Sequence, residues 1–196
     1  AEKILKELNI EIEIYGFTLK DGLKNPTDYK DLPYWWHVGL YPTSTVDLET
    51  KIKKNTKIIY GNVKETTKTF FEKYDPAPIG VIFNDLDYFS STIDSFQIFE
   101  NTDNFYLPRI FCYFDDIIGT EKEMFNEFTG ELNAINTFNQ NNHDKKICLN
   151  KNLVANSNSN WRYQIYYYHN FGHKNYNVFI GKSAQIDIDN ELKLKN

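Results

Sequence analysis

The sequence predicts a single α/β domain over residues 1–196, with a mostly parallel sheet, helices on both faces and an antiparallel edge near the C-terminus. Strand-type apolar runs alternate with helical patterns along most of the chain, which is typical of parallel sheets built from strand–helix–strand units. Two of these runs end directly in pairs of acidic residues. The last two strand-type segments follow each other without a helix between them, which indicates an antiparallel edge. A hydrophobic fraction of 41% and a charged fraction of 25% are ordinary for a folded chain of this length.

The N-terminal part begins with a helical pattern. Residues 2–8 place apolar side chains at helical spacing, and residues 10–17 alternate as a strand does. A helix that starts at the first residue and leads into a strand looks like the middle of a strand–helix–strand unit, so we expect the first strand of the sheet to be missing from this chain. Residues 18–45 are irregular and contain the adjacent Trp35 and Trp36. We interpret them as a lid or pocket wall, with a packed surface loop as the alternative.

The remaining elements follow from periodicity and turn residues. Apolar residues three and four apart predict helices at residues 46–53, 63–74, 91–100 and 122–139. Short apolar or alternating runs predict strands at residues 57–60, 79–84, 109–114, 145–149, 161–168 and 176–180. The tail from residue 182 is charged, and we expect it to fray.

Composition excludes several classes of partner. A net charge of −5 and a pI near 5.4 argue against nucleic acid, because binding to phosphates needs clustered Lys and Arg. No apolar run approaches the ~18 residues of a membrane helix, and no signal peptide is recognisable. Two cysteines, Cys112 and Cys148, do not make a disulfide framework, and we interpret both as small buried apolar residues. We therefore expect a cytoplasmic protein without a membrane or nucleic-acid partner.

Acidic residues follow two predicted strands at the point where each strand ends. Asp85 and Asp87 come after residues 79–84, and Asp115 and Asp116 come after residues 109–114. The carboxyl ends of parallel strands lie at one edge of a sheet, where ligands bind in open α/β folds. Converging carboxylates raise one another's pKa unless a cation is present, and Mg²⁺ prefers such oxygen ligands. The alternative is that these acids cap helices, pair with lysines or are solvated at the strand ends.

These motifs occur in an order that resembles one enzyme family. Asp-Leu-Asp-Tyr-Phe-Ser-Ser-Thr and Leu-Pro-Arg-Ile-Phe-Cys-Tyr-Phe-Asp-Asp resemble the macrocin O-methyltransferase type of class I S-adenosylmethionine-dependent methyltransferase, in particular a bacterial subgroup. The similar segments, which span most of residues 12–180, are 15–17, 28–34, 61–66, 78–92, 107–116 and 127–131. The resemblance implies a Rossmann-like fold with Mg²⁺ held by Asp85, Asp115 and Asp116. It implies Asp87 as a further ligand or a base, and methyl transfer to a hydroxyl group of a small molecule such as a sugar or natural product.

The cofactor side of the resemblance departs from the family pattern. By position, contacts to S-adenosylmethionine fall on Phe17, Thr18, Asn62 and Asn84. Thr18 and Asn62 stand where the family has acids, and the Gly-rich loop that follows the family's first strand is absent. The alternative hypothesis is therefore a noncatalytic domain that keeps the fold, has lost cofactor binding and serves in an interaction.

Several other residues have two interpretations. Asp85-x-Asp87 is also typical of metal-dependent glycosyltransferases, which gives a further alternative. His37 could serve as a base beside the substrate. His169 and His173 are four apart, but Gly172 between them favours a turn. Glu127 and Glu131 fall in a predicted helix, where a solvated face is the favoured interpretation. A missing first strand would leave a sheet position unpaired, so association of two copies is also expected.

Overall fold

The computed structural model describes residues 11–44, 48, 50–52, 55–156 and 158–178. The predicted helix at residues 2–8 and the charged tail from residue 182 lie outside these ranges, as does much of the predicted helix at 46–53. Within them the chain is a mixed α/β structure with parallel and antiparallel strand pairs. No helix in the described ranges is both long enough and apolar enough to cross a membrane.

The described residues form two sheets. The smaller sheet pairs two strands in parallel, β1 (Ile14–Thr18) and β2 (Thr56–Tyr60). The larger sheet has the order β3-β4-β6-β5, with β3 at Ile79–Asn84, β4 at Tyr106–Phe114, β5 at Lys145–Leu149 and β6 at Ile165–Asn170. β3 and β4 are parallel, whereas β6 runs antiparallel to both of its neighbours. The antiparallel strand is thus inside the sheet and β5 forms its edge, where the sequence had predicted two antiparallel strands at the edge.

The end of the described chain differs from the prediction. A 3₁₀ turn at Asn160–Gln164 precedes β6, so the strand begins later than expected. Residues 176–178 belong to a series of turns and not to the predicted strand, because the Tyr176 N–H bonds the carbonyl of His173 at 2.9 Å. Residues 179 and 180 lie outside the described ranges.

Four helices are described with complete bounds; two of them differ from the predicted bounds, and a third, at Lys151–Asn156, replaces part of a segment that was predicted as a loop. They are α1 (Val63–Tyr74), α2 (Phe89–Ser95), α3 (Gly130–Asn141) and α4 (Lys151–Asn156). α2 is shorter than predicted because it tightens into a 3₁₀ turn at Phe96–Phe99. The predicted helix at 122–139 begins only at Gly130, since Met124 has a φ of 52° and the Asn126 side chain bonds the Phe128 N–H at 2.9 Å.

One face of the larger sheet carries the main core. Alternate residues of β4 and β6, including Ile110, Cys112 and Tyr168, are buried on this face. The Phe99 and Tyr168 rings stack with centroids 3.9 Å apart, and Phe138 of α3 packs beside both. The high aromatic content of the chain is therefore used mainly in packing.

The two sheets lie close together but are not joined. At the start of β1, the Glu13 carboxylate accepts a hydrogen bond of 3.0 Å from the backbone N–H of Ala77, just before β3. Rings of β1 also pack on α1, with Tyr15 and Phe17 both against Phe70. In the described part of the chain, β1 and β3 each pair with one strand only, so their other edges are unpaired.

Candidate acidic site

The two acidic strand ends meet at one edge of the larger sheet. The Asp115 N–H donates to the carbonyl of Asn84 at 3.0 Å, which continues the β3–β4 pairing one residue past the strands. Beyond this point the Asp116 carboxylate accepts a hydrogen bond of 3.1 Å from the N–H of Asp87. Asp87 has a φ of 59°, which turns its backbone N–H toward the neighbouring loop. The β3 and β4 loops are thus tied together through two of the predicted site residues.

Negative charge accumulates in this site, and no salt bridge between these acids and a lysine or arginine occurs among the described residues. Burial, together with Asp85 and Asp115, raises the pKa of Asp87 to about 7. Burial and the charge of Asp87 raise the pKa of Asp116 to about 8, although the hydrogen bond from the Asp87 N–H opposes the change. The pKa of Asp85 is raised by burial and by Asp115. A site of this kind either retains protons at neutral pH or binds a cation.

Glu131 is part of this site, although the sequence favoured a solvated helix face for it. It is fully buried in the first turn of α3, and its Oε2 accepts a hydrogen bond of 3.0 Å from the Asp116 N–H. The backbone N–H of Leu86 lies near the same carboxyl group and opposes part of the rise in its pKa. Its Oε1 has no hydrogen-bond partner among the described residues. Burial, followed by the charge of Asp116, raises the pKa of Glu131 well above its ordinary value.

The local sequence explains how Glu131 reaches the two loops. Gly130 starts α3 with a φ of 55°, and a Cβ at this position would lie 3.9 Å from the Asp87 carbonyl oxygen and 4.0 Å from that of Asp116. These contacts leave room for a Cβ, so glycine is favoured here by its left-handed backbone conformation and not by close packing. The Thr-Gly-Glu order at residues 129–131 was the available signal, because an acid just after a glycine can mark a helix start that a longer apolar pattern hides.

Removing Glu131 tests its role in holding the loops. We expect Glu131→Ala to lower the free energy of unfolding by about 2 kcal/mol, because the buried N–H of Asp116 loses its acceptor. Glu127→Ala is the matched control, since Glu127 is exposed and its carboxylate bonds only the Asn136 amide among the described residues. Urea unfolding of both variants measures the difference. Equal losses of stability in the two variants would contradict the role of Glu131 in holding the acidic loops.

The carboxylate of Asp115 does not face a common metal position. It accepts hydrogen bonds from the Tyr113 hydroxyl and, at 3.3 Å, from the Gln164 amide. Within the described ranges, no three Asp, Glu, His or Cys side chains are arranged to hold a metal ion. The donor chemistry of the cluster nevertheless fits Mg²⁺, since its side chains are hard oxygen ligands and Glu131 has one unpartnered buried oxygen. Assembly of the predicted ligand set requires Asp115 to leave Tyr113.

Residues 18–44, the described part of the predicted lid or pocket wall, form a packed wall beside the acids. Leu32 and Trp36 are buried together with Tyr88, whose hydroxyl donates to the Lys24 carbonyl at 2.9 Å. This packing agrees equally with a pocket wall and with a packed surface loop, so both interpretations of the segment stay open. The acids affect the pKa of Tyr41, which belongs to this segment. Its pKa is raised by burial and then by Asp87, Asp116 and Asp85.

Asp31 anchors this wall to the rest of the protein. Its carboxylate is fully buried and accepts hydrogen bonds from the N–H and hydroxyl of Thr27, both at 2.7 Å. It also accepts from the N–H of Ser90 at 2.8 Å and from the Ser90 hydroxyl at 3.0 Å. Ser90 lies in the first turn of α2, directly after the β3 loop. One buried acid therefore fixes the wall against the helix that follows Asp85 and Asp87.

His37, the predicted base, lies on the exposed part of the wall. No hydrogen bond between its ring and the acids occurs among the described residues, so the structure does not bring it into the cluster. His173 is buried and its Nε2 lies 3.1 Å from the carbonyl oxygen of Asp103, far along the chain from the acids. His169 bonds Tyr176 through its Nδ1 at 2.8 Å. Both histidines near the C-terminus thus have structural partners.

The residues expected to contact S-adenosylmethionine already have internal partners. Phe17 packs against Phe70 with ring centroids 5.3 Å apart. The Thr18 hydroxyl lies 3.1 Å from that of Thr43, and the Asn62 side chain caps α1.

Asn84 is buried and its amide donates to the carbonyl of Tyr113 at 3.4 Å. All four residues lie at strand ends, as predicted, but they do not form a set of unengaged groups that fits the cofactor. No chemical step through S-adenosylmethionine can be derived from these side chains.

No protein-family model, curated protein or solved structure matches this chain. The resemblance to macrocin-type methyltransferases therefore stays a prediction, and the function has to be argued from the acidic site itself.

Proposed function

We propose that this chain binds a divalent cation in its acidic cluster and holds a hydroxyl group of a small molecule there, as part of a metal-dependent S-adenosylmethionine O-methyltransferase. One observation supports the proposal above the others. Acids from two strand ends share a buried site in which the pKa values of Asp87 and Asp116 rise to about 7 and about 8. A cation would remove this electrostatic penalty, because it favours the ionised form of every carboxylate near it.

Each residue has a defined task in this proposal. Asp85 and Asp116 would hold the cation, and Asp115 would join them after exchanging the Tyr113 hydroxyl for the ion. Glu131 keeps the Asp116 loop in place through the bond to its N–H. A bound divalent cation supplies Lewis-acid chemistry, which makes an oxygen ligand easier to deprotonate. Asp87 is the candidate base, since a cation bound beside it would keep its carboxylate ionised and able to accept a proton.

The wall provides a surface for an organic acceptor. Tyr41 is exposed near Asp85, Asp87 and Asp116. Tyr34 is also exposed, and its hydroxyl donates to the carbonyl of Glu123 at 2.6 Å, which connects residues 18–45 to the loop after β4. The Tyr41 ring beside carboxylates suits a molecule with both apolar and hydroxyl groups.

A second candidate is a domain that has kept this architecture and does not bind the methyl donor. The internal hydrogen bonds of Thr18, Asn62 and Asn84 favour it. Calorimetry with S-adenosylhomocysteine separates the two candidates. Saturable heat supports the methyltransferase, whereas absence of heat at millimolar ligand, in a protein that binds the cation, supports the second candidate.

Cation binding is tested with Mn²⁺, whose electron paramagnetic resonance signal reports free ion. We expect one bound ion per chain at pH 7.5, and at least tenfold weaker binding in Asp116→Asn, because the site loses a carboxylate. Asp144→Asn is the matched control. It makes the same change at an exposed carboxylate that lies beside His143. Wild-type protein without saturable binding, or equal weakening in both variants, would contradict the proposed site.

A further inference from the structure

The face of the larger sheet opposite the core is open in the described part of the chain. Register places one row of side chains across it, from Val81 to Phe111, Tyr167 and Cys148. A second row contains Phe83, Tyr113 and Ile165. We call these two rows the open face.

Several side chains of the open face are strongly exposed for their type. Phe83 is 76% exposed, Val81 55% and Phe111 51%. These three fractions correspond to roughly 300 Å² of apolar surface, given the size of aromatic side chains. The partly buried Tyr113, Tyr167 and Ile165 continue the same surface. Contiguous apolar patches of this size on a protein usually mark an interaction site.

The two ends of the open face carry opposite charges. Arg109 and His169 form the next row toward the start of β4. Tyr176 packs against both, and the Arg109 side chain remains exposed and supplies the positive charge at this end. At the other end, Asp85 and Asp115 follow Phe83 and Tyr113 in β3 and β4. Six residues separate Arg109 from Asp115, which is about 20 Å along a strand. A second sheet laid across the open face with its strands reversed would bring each basic end against an acidic end.

We propose that a second copy of this chain covers the open face, with the two sheets packed face to face about a two-fold axis and their strands running in opposite directions. Self-complementary surfaces are what a two-fold interface requires, and the apolar centre with one basic and one acidic end is self-complementary in this orientation. Packed sheets lie about 10 Å apart, which lets the Phe83 and Phe111 rings of both copies interdigitate. This inference does not require binding of the methyl donor, but its acidic end contains Asp85 and Asp115, which are also proposed to hold the cation, so the dimer is tested in the absence of divalent cations.

The size of the face sets the expected strength of the dimer. A four-stranded face is at the low end of the areas found in stable interfaces, about 800 Å² per partner. We therefore expect dissociation in the micromolar range, with weaker binding at high salt because charged ends contribute.

Sedimentation velocity of the full chain from 1 to 200 µM tests the proposal. We expect a monomer–dimer equilibrium that Phe83→Glu shifts at least tenfold toward monomer. Phe128→Glu is the control, since Phe128 is 75% exposed in the loop before α3, outside the two sheets. Arg109→Glu is expected to weaken the dimer and to reduce its salt dependence.

Circular dichroism establishes that each variant is folded. A monomer at every concentration would overturn the proposal, and the open face would then be covered by chain outside the described ranges or by another protein. A dimer that Phe83→Glu leaves unchanged would also overturn it, because another surface would be responsible.

Discussion

Replacing Asp31 by alanine is expected to lower the free energy of unfolding by about 4 kcal/mol. The carboxylate is fully buried and accepts hydrogen bonds from backbone and hydroxyl groups of Thr27 and Ser90. Hydrogen bonds to a charged group contribute about 1.5–3 kcal/mol each, and buried N–H groups left without an acceptor add a penalty. The loss exceeds that of an ordinary surface substitution because the Asp31 carboxylate accepts hydrogen bonds from two separate segments of the chain.

Urea unfolding followed by tryptophan fluorescence measures this effect. Trp36 is buried within the wall, so its emission should shift to longer wavelength when the wall loosens. Asp28→Ala is the matched control, because Asp28 is exposed and its carboxylate bonds only the Lys30 N–H among the described residues. We expect a loss of about 0.5–1 kcal/mol there. Similar losses in the two variants would show that Asp31 does not anchor the wall.

Stability is expected to fall as pH rises from about 4 to 8 in the absence of divalent cations. Asp87, Asp116 and Glu131 all have a pKa above that of the unfolded chain. Between the unfolded and folded values the native state binds more protons than the unfolded state, so raising the pH favours unfolding. The stabilisation is complete below about pH 4 and is lost as pH passes through about 7 and then about 8. After allowance for partial solvent exposure, a fall on the order of 2 kcal/mol is expected.

Two comparisons isolate the acids from the rest of the molecule. Asp116→Asn removes one titrating group and should flatten the curve, whereas Asp144→Asn should not change its shape. His169 acts in the opposite direction, because burial and Arg109 lower its pKa, so its contribution to stability grows as pH rises. If the cluster holds a cation, adding millimolar Mg²⁺ at pH 8 should raise the free energy of unfolding of the wild-type protein back toward its value at lower pH. Denaturation curves of wild type that are level from pH 4 to 8 would contradict the electrostatic description of the site.

Strands with strong local signals were predicted well. The run at residues 79–84 was predicted with the observed bounds, because a proline precedes it and acids follow it. The 109–114 strand was found too, but its first residues, Tyr106 to Pro108, were taken for an approach segment. Pro108 lacks the N–H that strand pairing uses, so the local sequence indicated a strand that starts after it. Packing of the buried Tyr106 extends β4 back to residue 106.

Errors arose where a pattern had two possible causes. Met124, Phe125 and Phe128 continue the apolar spacing of α3, yet Met124 and Phe128 are exposed in turns that precede the helix. Helical spacing alone could not locate the break, since the left-handed conformation of Met124 is set by its surroundings. The mistaken helix start made Glu131 an interior helix position, whereas it lies in the first turn of α3 beside the acidic loops.

The candidate site was predicted in its location and not in its detail. Two acidic strand ends meet as expected because β3 and β4 are parallel neighbours. The turn of Asp115 toward Tyr113 and Gln164 depends on β6 lying next to β4, a non-local contact. Asp31 gave no signal, since an isolated acid in an irregular segment is usually solvated.

The position of β6 has a consequence for how the protein is made. β5 has no other strand neighbour than β6 among the described residues, and β6 follows it in the chain by more than a dozen residues. During synthesis β5 must therefore leave the ribosome before its only partner exists, and its pairing waits until residues 165–170 have emerged. Chains stopped before residue 165 would expose a partnerless strand to chaperones and proteases, so quality control should detect incomplete products of this gene at that late stage.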